Sequence, residues 1–190
     1  MNNQTVRCCW CGDDRDYQNY HDFEWGVPCR DDQKLFEFLI LESAQAGLSW
    51  LTILRKRENY RRAFTDFNTK KVASYTRFDI QRLMADKGIV RNRLKIESAI
   101  TNPQCFLKVQ TERGSFSEYL WRFVDHSPVI NSWINEDQIP ISTDLSEHIS
   151  QDMKSLGFKF FGSTICYAYL QAVGVVNDHI VDCSYRFDQA

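Results

Sequence analysis

The apolar run from Leu35 to Leu41 limits more than any other feature how this chain can fold. Six of its seven residues are apolar, the exception being Glu37. Asp31 and Asp32 precede the run, and aspartate favours the position just before a helix. Because a helix with so many apolar side chains has little surface left for water, we predict that it is buried on most sides. The hydrophobic content of the chain, 43%, is enough to cover it.

Helical patterns also dominate the rest of the sequence, whereas the alternation typical of strands is nearly absent. Further helices are predicted over residues 48–64, 70–75, 78–86, 91–101, 103–109, 116–124, 143–156 and 163–173. Pro103 is expected to separate two of them, and Gly157 and Gly174 stand where a helix often ends. Since neither a repeat nor a linker marks a boundary, we predict an all-α fold in a single module over residues 1–190.

Composition and the ends of the sequence bear on where the protein works. No run approaches the roughly 18 uncharged apolar residues of a membrane span, and the start Met1–Gln4 lacks the layout of a signal peptide. The cysteine count of seven is odd, which favours free thiols or metal ligands over disulfides. We therefore expect a cytosolic protein with no membrane partner, and a monomer is the default expectation.

The net charge of −2 hides an uneven distribution of charge along the chain. Residues 51–100 contain 13 Lys and Arg against 5 Asp and Glu, whereas the other 140 residues contain 10 against 20. The protein as a whole is not a polycation. The basic segment is nevertheless a candidate phosphate-binding surface.

Within the basic segment, the predicted helices 78–86 and 91–101 flank a four-residue link. Gly88 is expected to take the positive φ that a tight turn needs, and the start of the second helix offers unpaired N–H groups to a phosphate. The predicted hairpin site consists of Gly88, Ile89, Val90, Arg91, Arg93 and Lys95. An ordinary helical hairpin with a solvated basic face explains the same spacing, so the pattern alone leaves both interpretations open.

Cysteine and histidine residues near both ends of the chain form a possible metal site. They are Cys8, His21, His179 and Cys183. The last two are spaced i, i+4, so one helical turn would aim both side chains in the same direction. Two thiolates and two imidazoles make a closed tetrahedral zinc site, which is structural and not catalytic. Two alternatives remain open: these four are ordinary core residues, or Cys9 or Cys11 takes the place of Cys8.

Glu42 follows directly on the buried run and is expected at the edge of the core. A carboxylate there needs a hydrogen-bonding partner or a cationic ligand. The chain supplies five aromatic residues around it: Trp10, Tyr17, Tyr20, Trp25 and Trp50. Aromatic faces attract an electron-poor, positively charged ring. Taken singly, each of these residues is more simply a core aromatic, and Glu42 a solvated glutamate.

Seven blocks of sequence, taken together, match one known family. They are Cys8-x-Trp10, His21-Asp22-x-Glu24-Trp25-Gly26-Val27-Pro28, Gln45-Ala46-Gly47-Leu48-Ser49-Trp50, Lys56-Arg57-x-Asn59-Tyr60, Gly88-Ile89-Val90-Arg91-Asn92-Arg93, Gly157-Phe158-Lys159-Phe160 and Val176-Asn177-Asp178-His179. From about residue 7 to residue 183, these blocks closely resemble the DNA-3-methyladenine glycosylase I family of bacterial DNA-repair enzymes. Ordered blocks over nearly the whole chain are far more specific than any one motif.

The resemblance implies a fold, a cofactor and a reaction. The fold is that of helix-hairpin-helix DNA glycosylases, with the hairpin at about 78–101. A zinc-binding part, formed by 7–25 and 175–185, holds one structural Zn²⁺ with Cys8, His21, His179 and Cys183. The implied reaction takes place in the bacterial cytosol on alkylated double-stranded DNA. The enzyme flips 3-methyladenine out of the duplex and hydrolyses its N-glycosidic bond, which leaves an abasic site without a lyase step.

The resemblance also implies roles for individual residues. The catalytic group is expected to be Glu42, Tyr20 and Trp50. The base-binding residues are expected to be Trp10, Tyr17, Tyr20, Trp25, Glu42 and Trp50. Gly47 and Leu48 are implied on the loop that enters the duplex where the base has left. One departure from the family pattern is Ser43, at a position where glycine is expected.

The chemistry of the lesion sets what Glu42 has to do. Methylation at N3 makes adenine cationic in DNA and a good leaving group. We therefore expect Glu42 to recognise the base instead of transferring a proton, with water as the nucleophile. Two rival functions remain, a non-enzymatic DNA-binding hairpin module and a zinc enzyme acting on a small molecule. Identification of the base released from alkylated DNA separates all three.

Overall fold

The computed structural model describes residues 5–187, most of which are helical. The α-helices of this part are α1 (Arg15–Phe23), α2 (Asp32–Gln45), α3 (Trp50–Leu54), α4 (Arg57–Ala63), α5 (Thr69–Ala73), α6 (Arg77–Ala85), α7 (Arg93–Arg113), α8 (Phe116–Trp121), α9 (Asp144–Ser155) and α10 (Ser163–Ala172). Single 3₁₀ turns occur at Cys9–Cys11, Thr65–Phe67, Arg122–Val124 and Glu136–Gln138. None of these helices is long and apolar enough to cross a membrane. The prediction of a mostly helical fold is confirmed.

Helix α2 is the centre of the molecule, as the apolar run predicted. Every residue from Leu35 to Ala44 is buried, and α2 packs against α3, α7, α8 and α10. The carboxylate of Asp31 caps the helix by accepting the Lys34 N–H at 2.8 Å. Because α2 ends beside its packing partners, the side chains of its last turns face the interior of the protein and not bulk water.

The predicted helix over 48–64 is wrong in one respect, because the chain forms two helices there. Helix α3 ends at Leu54 and α4 begins at Arg57. The Lys56 ammonium donates to the carbonyls of Lys87 and Gly88 at 3.3 and 3.2 Å. Arg57 is buried in ion pairs with acidic side chains of other elements. Tertiary contacts at the break therefore outweigh the local helical pattern.

The expected break at Pro103 is also wrong. Helix α7 continues from Arg93 to Arg113 with Pro103 inside it, buried. Proline has no N–H, so the carbonyl of Ala99 lacks its usual helical partner. Just before the proline, the Asn102 side chain exchanges two hydrogen bonds, at 3.0 and 2.9 Å, with the backbone of Lys159. Packing against the 157–161 segment thus supports the helix where its own ladder is interrupted.

Two very short strands connect distant parts of the chain. Strand β1 (Val129–Ile130) pairs in parallel with β2 (Val176–Asn177). Two residues are too few to give an alternating pattern, which is why the sequence did not predict them. The pairing holds the 131–139 segment beside the end of α10.

The two predicted helix-ending glycines are confirmed. Gly157 and Gly174 follow α9 and α10 with φ of +98° and +67°. At Gly174 a side chain is also excluded by space, since a Cβ would lie 2.2 Å from the carbonyl carbon of Val27. This close approach brings the chain leading into α2 against the end of α10.

Candidate functional site

A cavity of about 310 Å³ lies where the N-terminal segment, α1, the end of α2, the start of α3 and α10 meet. Its lining residues are Trp10, Tyr17, Tyr20, Trp25, Glu42, Gln45, Trp50, Glu136, Ile139, Ala168 and Gln171. All six residues predicted from the sequence to bind a base are among them. The structure therefore brings into one place residues that the chain spreads over 41 positions.

The aromatic rings of the cavity support one another. The Trp10 ring centroid lies 4.9 Å from those of both Tyr17 and Trp25. On the other side, the centroids of Tyr20 and Trp50 are 5.1 Å apart. Such tilted and edge-on contacts fix the orientation of each ring. The result is a preformed slot with aromatic walls, suited to a flat heterocyclic ring.

Glu42 is the buried carboxyl group of this cavity. It is 3% exposed, and it has no hydrogen bond or ion pair with any residue in the described range 5–187. Burial raises its pKa to about 8. A carboxyl group held without a partner gains most from a ligand that brings a positive charge and hydrogen-bond donors.

Two further polar atoms near Glu42 lack a partner. The Nε1–H of Trp50 and the hydroxyl of Ser43 are buried without a hydrogen bond to any residue between 5 and 187. Trp50 lines the cavity, so its N–H is a donor within reach of the site. Burial, together with the Glu42 charge, raises the pKa of Tyr20, which keeps its hydroxyl protonated. The cavity thus combines one buried carboxyl group that has no partner with neutral donors.

The four predicted metal ligands form a buried cluster. The ligand atoms of Cys8, His21, His179 and Cys183 all lie within 4.8 Å of one another. The Cys183 Sγ is 3.6 Å from His21 Nε2 and 3.3 Å from His179 Nδ1, and the Cys8 Sγ is 3.7 Å from His179 Nδ1. In a tetrahedral zinc site sulfur and nitrogen ligands are separated by about 3.6 Å. The donor set therefore has the composition and spacing to bind a metal such as zinc.

The imidazoles of the cluster are also oriented from behind. The second nitrogen of His21, Nδ1, lies 2.8 Å from Asp22 Oδ1, and that of His179, Nε2, lies 3.1 Å from the Trp25 carbonyl oxygen. Zinc-bound histidines have this arrangement. Trp25 links the cluster to the cavity, because it lines the cavity with its ring.

The structure around the cluster corrects the expected helical turn at His179 and Cys183. It also shows which of the N-terminal cysteines belongs to the cluster. His179 and Cys183 do not lie on a helical turn, because the chain there is a tight turn in which the Cys183 N–H donates to the Ile180 carbonyl. Cys9 is exposed, and the Cys11 thiol donates to the Cys8 carbonyl at 3.1 Å. Within the described residues, neither of them belongs to the cluster.

The loop between α2 and α3 borders the cavity, since Gln45 before it and Trp50 after it are both lining residues. Gly47 has a φ of +80°, and Leu48 is 42% exposed. The Leu48 N–H donates to the Gln45 carbonyl at 2.6 Å, which makes the turn tight. The loop therefore presents an apolar side chain to solvent beside the mouth of the cavity.

The predicted hairpin is formed by α6, α7 and the link between them, but Gly88 acts differently from the expectation. It does not have a positive φ. A Cβ at Gly88 would instead lie 2.9 Å from an oxygen of Asp86 and 3.0 Å from Asn59. Ile89 is buried, as expected of a residue that fills the gap between the helices, and the Val90 N–H donates to the Tyr60 hydroxyl. The glycine is required by close packing and not by backbone conformation.

The basic residues of the hairpin divide into two groups. Arg91 and Arg93 are exposed at the start of α7. Lys95, expected beside them on the surface, is instead buried, and its Nζ donates to the carbonyls of Ala44 and Ala46 at 2.8 and 2.5 Å. The helical period places Lys95 in the interior. The two arginines lie on the outer face, where Arg93 pairs with Glu97 at 3.4 Å in an exposed ion pair.

Comparison with known proteins decides the family. The family model described as methyladenine glycosylase matches residues 10–187. The chain belongs to this family. Glycosylases hydrolyse N-glycosyl bonds. This is the enzyme class that the sequence blocks predicted, and the prediction is confirmed.

The relatives are close and of nearly the same length. The chain is 47% identical to DNA-3-methyladenine glycosylase 1 of Escherichia coli (strain K12), covering 93% of this chain and 95% of that protein. It is 44% identical to the DNA-3-methyladenine glycosylase of Haemophilus influenzae, covering 94% and 97%. The solved structure of a 3-methyladenine DNA glycosylase I variant in complex with 3-methyladenine is also similar, with a TM-score of 0.94 at 39% identity. The match covers 97% of this chain and 99% of that chain.

Sequence reasoning missed the part of the methyladenine glycosylase cavity that comes from the 131–139 segment. Glu136 lines the cavity, and its carboxylate accepts the backbone N–H groups of Cys9 and Trp10. The buried carboxylate of Asp178 anchors the same segment by accepting from the side chains of Asn131 and Trp133 at 2.6 and 2.7 Å. No local pattern could reveal these positions, because contacts with distant parts of the chain, the β1–β2 pairing among them, bring them to the site.

Proposed function

We propose that this protein excises 3-methyladenine from alkylated double-stranded DNA by hydrolysing the N-glycosidic bond, which releases the base and leaves an abasic site. The observation that carries the proposal is Glu42, a buried carboxyl group without a partner inside an aromatic cavity. A cation with hydrogen-bond donors and a flat ring fits this arrangement, and 3-methyladenine in DNA is such a cation. The names of the relatives agree with this substrate.

Recognition begins with removal of the base from the helix. Extrusion costs a few kcal/mol, less for a poorly paired lesion. In the cavity the ring lies among Trp10, Tyr17, Trp25 and the Tyr20–Trp50 pair, and the Glu42 carboxylate accepts a hydrogen bond from the exocyclic amine. In the empty cavity, burial favours the protonated form of Glu42. Pairing with a cationic base favours its ionised form. Selectivity therefore depends on the charge of the lesion.

Bond cleavage needs little help once the base is bound. The positive charge on the methylated ring makes it a good leaving group, so Glu42 acts by recognition, and Tyr20 and Trp50 hold the ring while water attacks the sugar. A lyase step requires an amine nucleophile. No lysine is among the described residues that line the cavity, which supports a monofunctional enzyme.

The α6–α7 hairpin and the loop at 46–49 are the proposed DNA contacts. The N-terminus of α7 offers N–H groups and a positive dipole end to a phosphate, with Arg91 and Arg93 beside it. Leu48 on its tight turn is proposed to fill the space that the extruded base leaves, with Gly47 allowing the backbone to approach. Membership of the helix-hairpin-helix class is part of the same proposal.

The Cys/His cluster is proposed to hold one structural Zn²⁺ through Cys8, His21, His179 and Cys183. These four protein ligands would leave no open position for water, so the metal would supply stability and not catalysis. It ties the N-terminal segment, which carries Trp10, to the chain after β2. Action on DNA in the bacterial cytosol is part of the same proposal.

The proposal is tested by incubating the purified protein with methylated duplex DNA and identifying the released bases by mass spectrometry. We expect 3-methyladenine in the supernatant and abasic sites, without strand cleavage, in the DNA. A protein that binds this DNA but releases no base would be a DNA-binding module, and the proposal would be wrong.

A further inference from the structure

Lys95 is a buried cation that neither the cavity nor the DNA-contacting surface uses. Its side chain is almost inaccessible, and burial alone lowers its pKa, because no carboxylate of the described residues is close enough to compensate. A cation in such a position needs another source of negative charge. The source is the C-terminal end of α2.

The Nζ of Lys95 donates to the carbonyl oxygens of Ala44 and Ala46 at 2.8 and 2.5 Å. Both carbonyls lie at the end of α2, where the helix leaves acceptors unpaired and the helix dipole is negative. Ala46 is the residue at which the backbone leaves helical geometry, with φ −39° and ψ 116°. One ammonium therefore fixes the point where helix becomes loop.

The position of these contacts relative to the site gives them a function. Glu42 lies one turn before Ala46, and Gly47 and Leu48 follow it. Lys95 itself lies in the first turn of α7, two residues after the exposed Arg93 of the hairpin. Through this side chain the hairpin and the 46–49 loop have a fixed spacing, although they are far apart in sequence.

We propose that Lys95 is a positioning residue for DNA base extrusion: by binding the carbonyls of Ala44 and Ala46 it holds the Leu48 loop at a set position relative to the α6–α7 hairpin. A duplex bound through its phosphates at the hairpin then meets Leu48 at the site of the extruded base. This inference rests on the proposed function. It replaces the sequence-based expectation that Lys95 itself contacts a phosphate.

The test compares Lys95→Met, which keeps the length and apolar stem of the side chain, with Lys108→Met. Lys108 is exposed on the same helix, and its one ion pair within residues 5–187 is with Glu112. Single-turnover release of 3-methyladenine is measured on duplex and on single-stranded DNA. In a duplex, misplacement of the loop by about 1 Å should slow release by about 10-fold to 100-fold in Lys95→Met. In a single strand there is no gap to fill, so we expect little change, and Lys108→Met should equal the unchanged protein on both substrates.

Two further measurements distinguish positioning from phosphate contact and from general stability. The Leu48 amide, which is bonded to Gln45, should exchange its hydrogen faster in Lys95→Met even without DNA. The salt dependence of duplex binding should not change, whereas loss of a phosphate contact would reduce its slope by about one.

The outcomes are separable. If Lys95→Met releases 3-methyladenine from duplex DNA as fast as the unchanged protein, the inference is overturned. It is also overturned if the release rate falls equally on duplex and single-stranded DNA. Both outcomes leave the proposed function standing. If the unchanged protein releases no 3-methyladenine from either substrate, the proposed function fails and the inference with it.

Discussion

Glu42 is a carboxyl group in an environment very different from water. It is buried among aromatic rings without a hydrogen bond from any residue between 5 and 187, and its pKa is raised to about 8. A residue in this state lowers stability, so its presence is explained by what it binds. We therefore expect this carboxyl group to support activity and to lower the stability of the folded protein.

Replacing Glu42 by Gln should reduce excision of 3-methyladenine by about 100-fold, because a hydrogen bond to a charged group in a buried site is worth about 1.5–3 kcal/mol. The readout is single-turnover release from methylated duplex DNA. Glu118→Gln, an exposed change on α8, is the matched control and should leave the rate unchanged. Near-normal release by Glu42→Gln would show that the carboxylate does not read the base.

The same substitution should make the protein more stable at pH 8. The pKa of Glu42 is about 4.5 in the unfolded chain and about 8 in the folded one, so the folded state binds the extra proton between these values. Stability that depends on this proton is present below pH 4.5 and is lost as the pH rises to 8. The difference in free energy of unfolding between Glu42→Gln and the unchanged protein should therefore grow by a few kcal/mol from pH 5 to pH 8. Urea titrations at both values check this, and a difference independent of pH would contradict it.

At the scale of elements, the hairpin and the α2–α3 loop are rigid for different reasons. The hairpin turn is packed so tightly at Gly88 that a Cβ would touch Asn59 and Asp86. The loop is held by the Leu48 N–H bond to Gln45 and by Lys95. In both elements, backbone and buried contacts fix the positions from which the exposed side chains project. The exposed side chains do not contribute to these contacts. Surface residues of either element can therefore be changed without loss of fold.

Charge reversal of Arg91 and Arg93 together should weaken duplex binding and make its salt dependence shallower by about 1–2 in slope, about one for each lost phosphate contact. Affinity for free 3-methyladenine should not change, since neither arginine lines the cavity. Reversal of Lys108 and Arg113, near the other end of α7, is the control and should leave the slope as it is. An unchanged slope in the hairpin variant would exclude these arginines as phosphate contacts.

At the scale of the whole molecule, the Cys/His cluster joins the segment around Cys8 to the chain around Cys183. Without the cluster, the positions of Trp10 and Trp25 would depend on contacts with the N-terminal segment. Before α1, this segment has only one short helical turn. We therefore expect the proposed metal to affect the geometry of the cavity wall as well as overall stability.

The purified protein should contain about one equivalent of zinc per chain by metal analysis. Cys8→Ser should lose the metal and lower the Tm by more than about 10 °C, since a structural zinc contributes several kcal/mol to folding. Cys105→Ser, outside the cluster, should keep both metal and Tm. Carefully prepared protein without any zinc would refute the site.

Most of the helices could be predicted from the sequence because their signals are local. Caps such as Asp31, the final glycines of α9 and α10, and the unbroken apolar run of α2 each act within one or two helical turns. The identity of the cavity residues followed from residue type and from the family blocks. Residue type alone left core aromatics and a solvated glutamate as an alternative, and it was the family resemblance that implied a base-binding role for these residues.

Tertiary structure alone decided where local signals were overruled or absent. Pro103 remains inside α7 because Asn102 is bound by Lys159, and Glu136 reaches the cavity because β1 pairs with β2. Lys95 matches the exposed arginines in charge and differs only in the side of α7 on which it lies, which places its ammonium on the end of α2. The physical reason is common to all three: sequence specifies what a residue can do over a few neighbouring positions, whereas packing between distant segments determines which partner it meets.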